Sequence, residues 1–99
     1  MYVPVTSLPS LRVDLLQTFL VAAEDLCMSN TARRLFVSPS GLSRRIATLE
    51  SELGVCLFER HTRSMHLTPA GRALVPHARA MVGAAQAALD AVTLTAQAA

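Results

Sequence analysis

Lysine is absent from this 99-residue chain, and cysteine nearly so. Two cysteines, Cys27 and Cys56, are too few to staple a small secreted scaffold, so reduced thiols in a cytoplasmic protein are expected. Long apolar runs are missing too. The longest, Phe19 to Ala23, falls far short of the ~20 residues that a bilayer span requires. No basic stretch followed by an apolar one opens the chain, so no secretory leader and no membrane partner are expected. Four glycines and five prolines exclude collagen-like or low-complexity architecture. What is present is apolar material at 52 %, enough for the core of one small domain.

With no lysine, all nine basic residues are arginine. Residues 1–32 carry a net charge of −2, residues 33–72 carry +4, and residues 73–99 are neutral. Arg33, Arg34, Arg44, Arg45, Arg60, Arg63 and Arg72 make up the central block. A block of this kind suits a surface that meets phosphate, and it also suits a solvated helical face.

Residues 1–10 hold Pro4 and Pro9 without periodicity and read as a flexible arm, with Ser10 as a candidate cap for the next helix. Leu15, Leu16, Phe19, Leu20, Ala23 and Leu26 then recur at helical spacing as one buried stripe. Ser29 suits the N-cap of a short helix over 30–36 that turns Ala32, Leu35 and Phe36 inward. Ser38 and Pro39 start a third helix over 39–53, as N-cap and first helical residue. Its apolar residues Leu42, Ile46, Leu49 and Leu53 fall within a roughly 60° arc. Gly54 ends it. Val55 to Phe58 and Met65 to Leu67 are short apolar runs on either side of a polar tract, and predict a two-stranded ribbon with a basic tip. Thr68-Pro69 repeats the Ser-Pro device and opens a long helix to about residue 93. Leu74, Ala78, Met81, Ala85, Ala88 and Val92 form one stripe along it, and Val75, Val82 and Leu89 a second. Pro76 and Gly83 weaken this helix. So small a domain cannot bury both stripes, so part of the helix is expected to face another chain.

Two short helices joined by a tight turn make a helix-turn-helix. The outward side of the second helix carries the small residues Ser40, Ser43, Ala47 and Ser51, which let a backbone sink into a groove about 12 Å wide. Arg44 stands among them as the one long donor, able to reach guanine edges or phosphate. Ser38 and the free N–H groups at the helix start suit an anion. The expected fold is mainly α: a winged helix-turn-helix over 11–67, a linker or dimerisation helix over 68–93, and a tail or hinge over 94–99. The competing reading of the same pattern is a plain helical bundle whose third helix has a small polar face.

Residues from about 13 to 82 resemble the N-terminal DNA-binding domain of LysR-type transcriptional regulators. The resemblance is carried by Phe19 to Glu24, Ala32-Arg33-Arg34-Leu35-Phe36-Val37-Ser38, Leu42-Ser43-Arg44-Arg45-Ile46 and Leu49-Glu50. It is most specific over Leu53-Gly54-Val55-x-Leu57-Phe58-Glu59-Arg60, then Arg63, then Leu67-Thr68-x-Ala70-Gly71. It implies a dimeric transcription factor on an interrupted inverted repeat in promoter DNA, cytoplasmic and nucleoid-associated, with helix 39–53 in the major groove and wing 57–67 on the backbone or minor groove. By position it makes Ser43, Arg44 and Arg63 DNA contacts, while Arg60 matches an arginine that serves wing structure as much as binding. The candidate DNA-binding set is Arg34, Ser38, Pro39, Ser40, Ser43, Arg44, Ala47, Arg60 and Arg63. The candidate dimerisation set within 68–93 is Leu74, Ala78, Met81, Val82, Ala85 and Leu89. Such regulators also carry a C-terminal domain for a small-molecule effector, for which 99 residues leave no room. The Thr/Gln/Ala-rich end at 93–99 therefore reads as a hinge toward it. Pro39-Ser40 stands where the family often has Gln-Pro, so a bidentate glutamine contact to a base is lost. Met28 replaces a usual aromatic and Thr31 a usual small residue, both read as repacking.

His61, His66 and His77 with the two cysteines have no zinc-finger spacing, and Cys56 reads as a buried small hydrophobe. Glu50, Glu52 and Glu59 read as solvated charges, and no nucleophile, base and orienter come together. Neither enzyme activity, a metal nor a cofactor is expected. The alternatives are a winged-helix module that docks proteins without a DNA role, and a thiol or metal switch.

Overall fold

The computed structural model describes residues 11–61 and 64–98. The expected arm over 1–10 and the wing-tip residue Arg63 lie outside the described residues. In chain order come α1 (Val13–Asp25), α2 (Met28–Arg34), α3 (Pro39–Leu53), β1 (Phe58–His61), β2 (Ser64–Leu67) and α4 (Pro69–Ala98).

Leu15, Leu16, Phe19 and Ala22 of α1 are buried, as helical spacing requires. They meet Leu42, Ile46 and Leu49 of α3 and Leu57, Phe58 and Met65 around the ribbon in one core. The rings of Phe19 and Phe58 lie 5.6 Å apart at 53°, a tilted aromatic pair. The cap of α1 is Arg12 rather than Ser10. Its guanidinium pairs with Asp14, Nη2 to Oδ2 at 2.7 Å, and hydrogen bonding within this pair raises the arginine's pKa and lowers the carboxylate's. The stripe ends sooner than its spacing suggests. Leu26 has left the helix at φ 50° and is 39 % exposed, while Thr18 is buried with its hydroxyl donating to the Asp14 carbonyl.

Two residues, the left-handed Leu26 and the extended Cys27, separate α1 from α2, so α2 begins before Ser29 can serve as its cap. Cys27 is the cap instead. The Ser29 hydroxyl and the Asn30 backbone N–H hold its thiol below the ordinary thiol pKa. α2 also ends earlier than expected. Ala32 is buried and Leu35 half-buried, but Phe36 turns outward, not inward. Phe36 sits at φ 55°, and the Phe36 and Val37 N–H groups donate back to the carbonyls of Arg33 and Ala32. This is the reversal that usually takes glycine, and an L side chain there costs about 1–2 kcal/mol.

The ribbon is displaced toward the tip relative to the apolar run. Phe58 pairs Leu67, Glu59 pairs His66, Arg60 pairs Met65 and His61 pairs Ser64, all antiparallel. Glu59 to His61 are therefore strand. Val55 and Cys56 form an exposed link, and Cys56 is not the buried hydrophobe expected. The reason lies in what holds that link. Glu50 Oε2 accepts the Leu57 N–H at 2.6 Å and the Phe58 N–H at 3.4 Å. Thr68 donates its N–H to the Leu57 carbonyl at 3.0 Å and its hydroxyl to the Cys56 carbonyl at 2.7 Å. Residues 56–57 are thus claimed by the helices before any strand partner reaches them. Glu50 is not a free solvated charge, and one Glu52 oxygen is buried without a partner, so neither matches expectation.

α4 is capped by Thr68, whose Oγ1 accepts the Gly71 N–H at 3.0 Å. Pro76 lies inside it without ending it. Residues 94–98 continue the helix, so the expected hinge at 94–99 is helical over its described part. At 1.5 Å per residue, α4 is about 45 Å long.

Candidate nucleic-acid interface

α3 presents the candidate face. The Ser38 hydroxyl accepts the Gly41 N–H at 3.0 Å, and Pro39 follows in the first turn, where its missing donor costs nothing. Gly41 leaves room for this cap, since a Cβ there would sit 3.0 Å from Ser38 Oγ. Ser38→Ala should destabilise the domain by about 1 kcal/mol in urea melts. Leu42, Ile46 and Leu49 fix the helix by its buried side. Ser38, Pro39, Ser40, Arg44, Ala47 and Ser51 are consequently exposed together, with Ser43 half-buried at the edge. Among the described residues none covers this side, as burial of Ser40 or Arg44 would require.

The cations divide into two groups. Among the described residues, Arg33, Arg44, Arg45 and Arg60 make no ion pair. Arg34 does: it bonds Asp25 and lies 3.6 Å from Glu24, while the buried Thr31 hydroxyl donates to the other Asp25 oxygen at 3.0 Å. Arg34 thus clamps α2 to the end of α1 and is not the free donor its place in the arginine block suggested. The same contacts give Thr31 a purpose beyond packing.

Arg60 joins the wing to α3. On the antiparallel ladder it shares the inward side with Phe58, Met65 and Leu67, and its Nη1 donates to Ser43 Oγ at 3.3 Å. The outward side carries Glu59, His61, Ser64 and His66, with the two imidazoles 6.3 Å apart. Arg33, Arg45, Phe36 and Glu50 are the residues that sequence reasoning passed over at or beside this surface. Only the two arginines were signalled, by the charge block.

The candidate dimerisation set splits by depth. Ala78 is 0 % exposed and belongs to the chain's own core, so it meets no partner. Leu74 and Val82 are half-buried against that core, Ala85 is half-buried, and Met81 and Leu89 are exposed, Leu89 at 64 %. Among the described residues no three of His, Cys, Asp and Glu gather as metal ligands would, and no helix is long and apolar enough to cross a membrane.

Residues 13–72 match the model of the bacterial regulatory helix-turn-helix proteins of the LysR family. The chain belongs to this family. It is 50 % identical over 82 residues to the HTH-type transcriptional regulator ShiR of Corynebacterium glutamicum, covering 83 % of this chain but 28 % of that protein. Like its other curated LysR relatives, ShiR is thus far longer than this chain. The fold aligns with Vibrio fischeri DarR in complex with DNA at a TM-score of 0.84 and 30 % identity, over 89 % of this chain and 30 % of DarR. It aligns with the CbnR DBD in its DNA complex at a TM-score of 0.81 and 35 % identity, over 87 % of this chain and 99 % of that one. The four helices and two-stranded wing are those of the LysR winged helix-turn-helix, long C-terminal helix included.

Proposed function

We propose that this chain is the DNA-binding portion of a LysR-type transcriptional regulator that reads a specific duplex sequence as a dimer. The observation that carries this reading is the face of α3 left uncovered by the described residues, small along its length and bearing Arg44, which makes no ion pair among them. A helix so lined fits the major groove, and Arg44 supplies the planar fork that reads guanine or grips phosphate. Ser40 stands where a longer amide reader is common, and a hydroxyl bonds a base or phosphate from closer range. Arg60 aligns the wing with α3, and the wing tip, Arg63 included, lies along the backbone or minor groove.

Two copies join through the outer part of residues 68–93, along Met81, Val82, Ala85 and Leu89. The regulator works in the cytoplasm on nucleoid DNA at interrupted inverted repeats in promoters. A small-molecule effector acts through a further, C-terminal domain of the whole protein. DarR and CbnR, both solved with DNA, support the reading by likeness.

Selection of bound duplexes from a random pool tests it. A two-fold repeated site is expected, with affinity falling steeply with salt as counterions leave phosphate. Arg44→Ala should weaken binding to that site by about 1–3 kcal/mol and relax preference at one base pair. Enrichment of no sequence, or an Arg44→Ala protein that binds like wild type, overturns the proposal.

A further inference from the structure

Phe36 is the most exposed large apolar residue described, at 95 %, and it occupies a left-handed position where glycine is ordinary. The other described apolar residue of positive φ, Leu26, recovers something for its strain, because it lines a cleft with Met28 and Met65. Phe36 recovers next to nothing from the described residues: its ring is 95 % exposed. Folding alone therefore gives no reason for an aromatic ring at this turn.

Its position supplies one. Phe36 lies two residues ahead of Ser38, the cap of α3, so the two Cα atoms are no more than about 7.6 Å apart. Along the chain it immediately precedes the cap of α3 and so the start of the candidate groove face. Arg33 lies three residues earlier, exposed and without an ion pair, and Arg44 and Arg45 follow on α3. An exposed ring with ion-pair-free arginines before and after it along the described chain suits an occupant that is anionic overall yet offers apolar patches. The deoxyribose faces and thymine methyls at a groove edge have this character. An apolar protein surface would have to accept the unpaired arginines as well.

We infer that Phe36 is a DNA contact, its ring lying against sugar or thymine methyl at the groove edge where α3 enters. This rests on the DNA-binding reading above. Phe36 adds an apolar grip beside the arginine contacts and positions the start of α3 against one strand.

The test uses the 99-residue chain and a duplex that the wild type enriches from a random pool. Phe36→Asn removes the ring and suits the left-handed backbone, and Phe36→Tyr retains an aromatic ring. The asparagine variant should melt at the wild-type temperature or above, yet bind the duplex roughly three- to tenfold more weakly. Because an apolar contact releases no counterions, its plot of log affinity against log salt should run parallel to the wild type's, where loss of a phosphate contact would flatten the slope. Phe36→Tyr should stay within about twofold of wild type, since most of the ring's apolar area remains. Wild-type affinity in Phe36→Asn overturns the inference and leaves the DNA-binding reading standing. A lowered melting temperature also overturns it, by making the ring structural. If the wild type enriches no duplex, the DNA-binding reading fails and this inference falls with it.

Discussion

Gly71→Ala will destabilise the domain by about 3 kcal/mol, although alanine is the better helix former by up to ~1 kcal/mol. The sign is decided by one distance. A Cβ at position 71 would lie 2.2 Å from the carbonyl oxygen of Leu57 and 2.9 Å from a methyl of Leu67. The methyl can rotate away, but the carbonyl cannot. It belongs to the backbone, it accepts the Thr68 N–H, and the N–H of the same residue is held by Glu50. Making room means moving the link between α3 and the wing, or lifting the first turn of α4 off the Thr68 cap. Small single domains have only ~5–15 kcal/mol of stability in all, so urea unfolding should show a large fall in midpoint. Gly83 is the matched control. Nothing lies within 4 Å of a Cβ built there, so Gly83→Ala should raise stability by about 0.5–1 kcal/mol. Equal effects at the two sites would show that the close approach at Gly71 is relieved at no cost.

That contrast also marks what was legible beforehand. Leu42, Ile46 and Leu49 announced the buried side of α3 because helical periodicity is local, and the exposed serine face followed as its complement. Ser38-Pro39 and Thr68-Pro69 were readable for the same reason, since a cap and its N–H lie three residues apart. The errors gather where distant residues meet. The ribbon starts at Phe58 because Glu50 and Thr68, seven and eleven residues from Leu57, take that residue's backbone groups. Arg34 reads as one more free cation until Asp25, nine residues earlier, is seen to hold it. Gly71 matches a family pattern, but its need for a missing side chain comes from a carbonyl fourteen residues away. Phe36 shows the converse case. Its spacing fits the inward side of a short helix, but the helix stops at Arg34 and the reversal turns the ring outward. α4 ran past its expected end because alanine-rich sequence sustains helix where no stop signal intervenes.

Removing the Glu50 carboxylate should be the second costly change. Position 50 serves the chain twice. Its backbone carbonyl accepts the N–H groups of Gly54 and Val55 at 2.8 and 3.2 Å, ending α3, and its side chain accepts those of Leu57 and Phe58, starting the wing. Glu50→Ala leaves the first pair intact and strands the second in a partly buried place. Loss of a charge-assisted bond together with an unmet donor should cost about 2–3 kcal/mol. Glu50→Gln keeps a carbonyl oxygen in reach and should lose only about 1 kcal/mol. Amide exchange localises the effect: the Leu57 and Phe58 N–H groups should exchange faster in Glu50→Ala, while those of Leu42 and Ile46 should change only as far as global stability falls. Function should follow the same tie. The wing reaches α3 through Arg60 and Ser43, so a loosened start of β1 lets Arg60 drift and the basic tip lose its angle to the groove face. DNA affinity in Glu50→Ala should then fall even at temperatures where the variant is fully folded. If the variant binds DNA like wild type there, the carboxylate serves stability alone and the wing is aligned by other contacts.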